Sequence, residues 1–179
     1  MTEGVQAPEG KVLLRDGVGM LRRGDVCLIV YQKPARLERT RWVFDVVDEV
    51  VARTDLDLLG FMIVLPSADP PDSPTHQENF TRLKKLGKRV RRLVTVPVGN
   101  AFKMSVVRAV MRGLNIILGH SGTRFVADTV DSGLARLLEA ASGRTPPLSQ
   151  ILADVRALHL ALGEPDPHFE LTPGTRKED

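Results

Sequence analysis

The chain has 179 residues, of which 42% are apolar and 26% charged. That balance excludes a disordered polyelectrolyte and suffices for one domain with a sizeable core. Aromatic residues make up 4%, so the core must be aliphatic, as suits buried parallel strands under helices. No apolar run reaches the roughly 20 residues of a membrane span, and residues 1–10 carry no apolar segment of a secretory signal. A single cysteine, Cys27, excludes an intrachain disulfide and fits a reducing compartment; a cytoplasmic protein is expected. The formal net charge of +3 is too mild to mark a nucleic-acid binder.

Residues 1–10 read as a flexible arm, with Gly4, Pro8 and Gly10 and little to bury. Short strands are expected at 11–14 and 18–22 around the turn pair Asp16-Gly17, with Gly24-Asp25 as a second turn. Residues 26–32 (VCLIVYQ) form a continuous apolar, β-branched run of strand length. From 37 to 54 the period becomes helical: Val43, Val46, Val47, Val50 and Val51 make a stripe, while Arg41, Asp45, Asp48, Glu49 and Arg53 face away. Residues 58–65 (LLGFMIVL) are a second buried strand, ending at Pro66.

In the Pro-rich stretch 67–74, Pro74 suits the first helical position and Ser73 the N-cap, with Thr75 and Glu78 as a rival capping box. The helix carries Phe80, Leu83 and Leu86 and ends at Gly87. A third strand covers 90–98 (VRRLVTVPV). A helix capped by Asn100 runs to about Arg112, and a fourth strand spans 124–127. Asp128 then caps a helix burying Val130, Leu134, Leu137 and Leu138. After a loop at 142–147, a last helix at 148–162 carries a seam of Leu148, Ile151, Val155, Leu158 and Leu162, expected to dock on its own domain. One domain, 11–162, followed by a flexible tail, 163–179, is the expected organisation. Antiparallel strands followed by alternating strand and helix imply an α/β fold with a mixed sheet of four to six strands.

The segments GDVCLIVYQ, the valine helix, LLGFMIVLP, RRLVTVPVG, VVRAVMRGL and FVADTVDSGLARL resemble the STAS superfamily, in particular its bacterial SEC14/STAS-like branch, over about residues 18–141. The resemblance implies helices packed mainly on one face of the sheet, with the C-terminal helix as an addition. It also implies a regulatory, protein-binding role without catalysis, or, alternatively, a pocket for a small apolar or anionic ligand. Members of the anti-sigma-antagonist type are phosphorylated at the start of the helix after the second parallel strand. Asp72-Ser73-Pro74-Thr75 stands there, which makes Ser73 and Thr75 switch candidates, with Pro74 where the family continues Ser-Gly.

The remaining candidates come from the residues themselves. Six cations in nine residues, Lys84, Lys85, Lys88, Arg89, Arg91 and Arg92, extended by Lys103, Arg108 and Arg112, form a candidate interaction patch. Without an aromatic platform it suits an acidic protein partner or a solvated rim better than nucleic acid. Trp42, Phe61, Phe80 and Phe102 are candidate pocket walls or ordinary core. Gly119-His120-Ser121-Gly122 lacks the final glycine of a nucleophile elbow and reads as a turn. The four histidines and one cysteine have no metal-ligand spacing, and no phosphate-binding glycine motif occurs. No catalytic residue, metal or cofactor is therefore expected. A protein partner is expected, and a homodimer, if formed, would use a surface other than the last helix.

Overall fold

The computed structural model describes residues 9–68, 71–99 and 123–165. The helix expected after Asn100, the glycine corner at 119–122 and residues 1–8 and 166–179 lie outside them. Six strands form one sheet in the order β1 (Leu13–Arg15), β2 (Val18–Arg23), β3 (Val26–Tyr31), β4 (Leu58–Val64), β5 (Val90–Pro97) and β6 (Arg124–Val126). The pairs β1–β2 and β2–β3 are antiparallel, and β3–β4, β4–β5 and β5–β6 are parallel. This is the mixed α/β sheet that the order of sequence signals implies.

Alternate residues of each central strand enter two different cores. Val26, Leu28 and Val30 of β3 join Phe61 and Ile63 of β4 and Val94 and Val96 of β5 on one face. Cys27, Ile29 and Tyr31 join Trp42, Val43, Val46, Val47 and Val50 on the other. Strands apolar on both sides must be covered on both sides. Helices α1 (Leu37–Arg53) and α2 (Ser73–Leu86) cover the second face; α3 (Val130–Leu138) and α4 (Leu148–Ala161) cover the first. Apart from the added α4, two of the three helices described lie on the second face, as expected, while α3 joins α4 on the first. The reason is the uninterrupted apolar content of β3 and β4, which leaves neither face suited to water.

Burial pushes the Cys27 thiol up to about 12, with nearby Arg22 opposing the shift, so at neutral pH it is an uncharged packing group. Helix α3 begins at an N-cap Thr129, not Asp128: Thr129 and Ser132 exchange both bonds of a capping box. One turn on, Gly133 lets α3 approach the sheet. A Cβ there would lie 2.7 Å from Val96 Cγ2 and 3.0 Å from Phe61 Cε2.

Helix α4 buries Ile151, Leu152, Val155 and Leu158 against β2 and β3, so its seam docks on the sheet of its own chain. Asp154, which flanks the seam, is buried as well. Its carboxylate takes two hydrogen bonds from Arg23, Nε at 2.6 Å and Nη2 at 2.8 Å, and one from Gln150 Nε2 at 3.2 Å. The planar guanidinium matches the carboxylate with two parallel bonds and fixes α4 in register on β2. A second buried acid, Asp25, binds the loop that leads into α4. It accepts from Arg91 Nη2 at 2.5 Å, Ser142 Oγ at 2.7 Å and Thr145 Oγ1 at 3.0 Å.

Replacing Arg23 with Met leaves the Asp154 carboxylate buried with Gln150 alone. Because Arg23 is about a third exposed, the expected loss is about 2 kcal/mol, below the scale for breaking a fully buried ion pair by removing one partner. Urea unfolding at neutral pH checks this, and a loss below about 1 kcal/mol would show that the pair does not anchor α4.

Candidate functional site

In open parallel sheets the helix N-termini and connecting loops gather at the carboxyl ends of the strands. Here that edge holds Tyr31 and Gln32 at the end of β3, the turn at 65–68 after β4, and the first turns of α1 and α2. Asp69 and Pro70 lie outside the described residues. The N-cap of α2 is Asp72, one residue before the expected Ser73. Its extended backbone, φ −71° and ψ 169°, lets the carboxylate accept the Thr75 amide at 3.0 Å, while its carbonyl accepts the His76 amide at 2.9 Å. Ser73 and Pro74 then occupy the first turn, where the missing proline N–H costs nothing. The rival box of Thr75 and Glu78 does not form; Glu78 instead accepts from Arg82 Nε at 3.0 Å.

Asp72 also joins the two helix starts, since Arg36 Nη1 donates to its other carboxylate oxygen at 3.2 Å. Thr75, through its side chain and its amide, and then Arg36 hold the Asp72 carboxyl below the usual carboxylate range. Beside this pair, Lys33 and Arg39 clamp Asp16 of the β1–β2 turn, and hydrogen bonds from Lys33 and Arg39 lower its pKa as well. The edge therefore alternates fixed acid and cation, with Ser67, Ser73 and Pro74 exposed above it. The two switch candidates separate: Ser73 is exposed and Thr75 is wholly buried. Thr75 is corrected to a packing position, because no modifying enzyme reaches its hydroxyl without opening the helix.

The basic run disperses. Lys84 and Lys88 are exposed, with no ion pair among the described residues, and Lys85 reaches Asp48 at 3.1 Å. Arg89 turns inward and donates from Nη2 to the carbonyls of Thr54 at 2.6 Å and Leu56 at 3.0 Å, tying down the chain that leaves α1. Arg91 serves Asp25. Arg92 bonds the Arg136 carbonyl and Glu139, and its guanidinium stacks 4.9 Å from the Phe125 ring centre. The expected single patch is thus corrected to an exposed lysine pair and three structural arginines. Strand alternation sends successive residues of the run in different directions. Arg108 and Arg112 lie outside the described residues.

The aromatic candidates also part. Trp42 belongs to the core under α1 and Phe61 to the core under α3, so the sheet lies between them. Phe80 is 40% exposed, and Phe102 lies outside the described residues. No one pocket holds Trp42, Phe61 and Phe80; the first two are core. A small cleft at the opposite edge of the sheet is lined by Arg22, Glu49, Val50, Arg53 and Thr54 and includes none of these aromatics.

The chain is similar to a solved structure. That structure is of an uncharacterised protein from the DUF3478 family with a SpoIIAA-like fold, from Shewanella loihica PV-4, with 13% identity over 67% of this chain and 91% of that chain and a TM-score of 0.49. No family model and no curated protein matches. Among the described residues no helix is long and apolar enough to cross a membrane, and no group of three His, Cys, Asp or Glu side chains could hold a metal ion.

Sequence reasoning missed Asp72, Arg36 and Gln32. A signal existed for the first: Asp72 precedes Ser73-Pro74 and stands three residues before Thr75, the spacing at which an N-cap side chain meets a backbone amide. Nothing local marks Arg36 or Gln32, whose partners are distant in sequence.

Asn caps helices as well as Asp does, so Asp72→Asn isolates the charge. Because the folded carboxyl titrates below its unfolded value, its charge stabilises the fold above about pH 4, the unfolded value for Asp. That contribution is lost as pH falls through the lower folded pKa. Wild type should therefore exceed Asp72→Asn in urea midpoint at pH 7 and converge with it near about pH 2. A difference unchanged by pH would remove the charge from the account.

Proposed function

We propose that the chain is a non-enzymatic regulatory module, acting in the cytoplasm, that binds a protein partner through the outer face of α2. Helix α2 carries the reading. It buries only Thr75 and Leu86 fully among its fourteen residues, and Ser73, Gln77, Phe80 and Lys84 follow one another at helical spacing on exposed positions. A 40% exposed phenylalanine between polar and cationic neighbours has the composition of an interface centre with a polar rim. Its position supports the same reading. The stripe begins at the carboxyl edge of the parallel strands, beside the Arg36–Asp72 pair, while both sheet faces are already covered by the chain's own helices.

The role resembles that of STAS-type switches, with one difference in chemistry. The resemblance places a phosphorylatable hydroxyl at the helix start, and here a carboxylate, Asp72, already fills the N-cap and is paired with Arg36. Ser73, one position inside the helix, remains the exposed hydroxyl. A phosphate there would stand at the positive end of the helix dipole.

A photo-crosslinking amino acid placed at Phe80 in the native cells is expected to give one discrete protein adduct. The same group at Leu160, an exposed leucine on α4 (64% exposed), should give none. The Phe80 adduct should weaken with Lys84→Glu. No adduct at Phe80, or the same adducts from both positions, would contradict the assignment.

A further inference from the structure

Gln32, directly after β3, is a junction of three segments that are distant in sequence. Its backbone amide donates to the Gly17 carbonyl of the β1–β2 turn at 2.9 Å. Its carbonyl accepts from Ser67 Oγ at 2.5 Å. Its side-chain amide donates to the Leu162 carbonyl at 3.0 Å and to Glu164 Oε1 at 2.8 Å. The Ser67 side belongs to a tight turn closed by the Ala68 amide on the Leu65 carbonyl at 2.9 Å, and the Leu65 amide itself bonds the Tyr31 carbonyl.

The other end is equally defined. Helix α4 finishes in a Schellman motif: the Gly163 amide bonds the Leu160 carbonyl at 3.0 Å and the Glu164 amide the His159 carbonyl at 2.9 Å, with Gly163 at φ +75°. That motif leaves the Leu162 carbonyl to be satisfied from outside, and Gln32 Nε2 does so. The same NH2 group fixes the Glu164 side chain. One residue thus holds the turn that leads toward α2 by its backbone and the end of α4 by its side chain.

We propose that Gln32 couples the turn at 65–68 mechanically to the C-terminal end of α4, so that a change at one is felt at the other. Ser67 Oγ, together with the bond from the Lys33 amide to the Gly17 carbonyl at 3.3 Å, holds the peptide that follows Gln32, next to the Cα from which the Gln32 side chain reaches Leu162. Release of either contact loosens both ends, because each is a short hydrogen-bonded motif at the sheet rim, and such motifs open locally without global unfolding. The coupling is a property of the isolated chain and does not depend on α2 docking a partner.

Amide hydrogen exchange on the full chain tests this in both directions. Gln32→Met keeps the backbone bonds and removes both side-chain bonds. Faster exchange is expected at Gly163 and Glu164 and also at Ala68, by about fivefold for each hydrogen bond lost. Ser67→Ala touches only the carbonyl of Gln32, yet exchange at Gly163 and Glu164 should rise with that at Ala68. The Leu28 amide in the middle of β3 serves as the reference and should be unchanged in both variants. Should Gln32→Met unfold the domain, Gln32→Asn, which keeps the amide and shortens its reach, supplies the same readout. The proposal is overturned if either variant changes exchange only at its own end.

Discussion

Strands β3 and β4 are apolar on both faces, and everything else in the fold follows from the need to keep both faces dry. Each alternate residue from Val26 to Tyr31 is buried, one set against α3 and α4 and the other against α1. At about 25 cal/mol per Å2 of apolar surface, exposing either face would cost more than the whole net stability of an ordinary domain. The chain after β6 therefore returns across the sheet as α3 over β4 and β5 and α4 over β2 and β3. Helix α4, outside the stretch that resembles a STAS domain, is part of the core in this fold.

Covering both faces confines recognition to the rims and to the outer sides of the helices. At the carboxyl rim, Arg36–Asp72 joins the starts of α1 and α2, and Gln32 joins the β4 turn to the end of α4. Cation use follows the same division. Arginine, with its planar fork of donors, is spent on internal work: Arg23 on Asp154, Arg91 on Asp25, Arg89 on the carbonyls after α1. Lysine, a strongly hydrated point charge, stays outside at Lys84 and Lys88. The outer side of α2 is where cation, hydroxyl and exposed aromatic ring meet.

The strands and α1 were legible because their signals are local. A run such as VCLIVYQ or the valine stripe of α1 carries its own period, and strand order follows from short connections and right-handed crossovers. The side chains of the candidate site were less so. Lys84 to Arg92 look like one patch in a line of text, but the helix end at Gly87 and the pleat of β5 scatter them. Trp42 and Phe61 have the same apolar character, and only the sheet between them decides that they never meet. Asp154 reads as a flanking polar residue of an amphipathic helix until Arg23, 131 positions away, makes its burial tolerable. Which face a helix covers, and which charge finds a buried partner, are decided by contacts between segments far apart in sequence.

The central claim is that α4 completes the core of the sheet. Ending the chain after Ala141 removes α4 and the loop that binds Asp25, and exposes Val26, Leu28 and Val30 to water. Thermal unfolding followed by circular dichroism, with sedimentation to follow association, measures the consequence. The account predicts that the shortened chain loses its cooperative transition and self-associates through the uncovered face. A shortened chain that stays monomeric and melts cooperatively at the temperature of the full chain would contradict it.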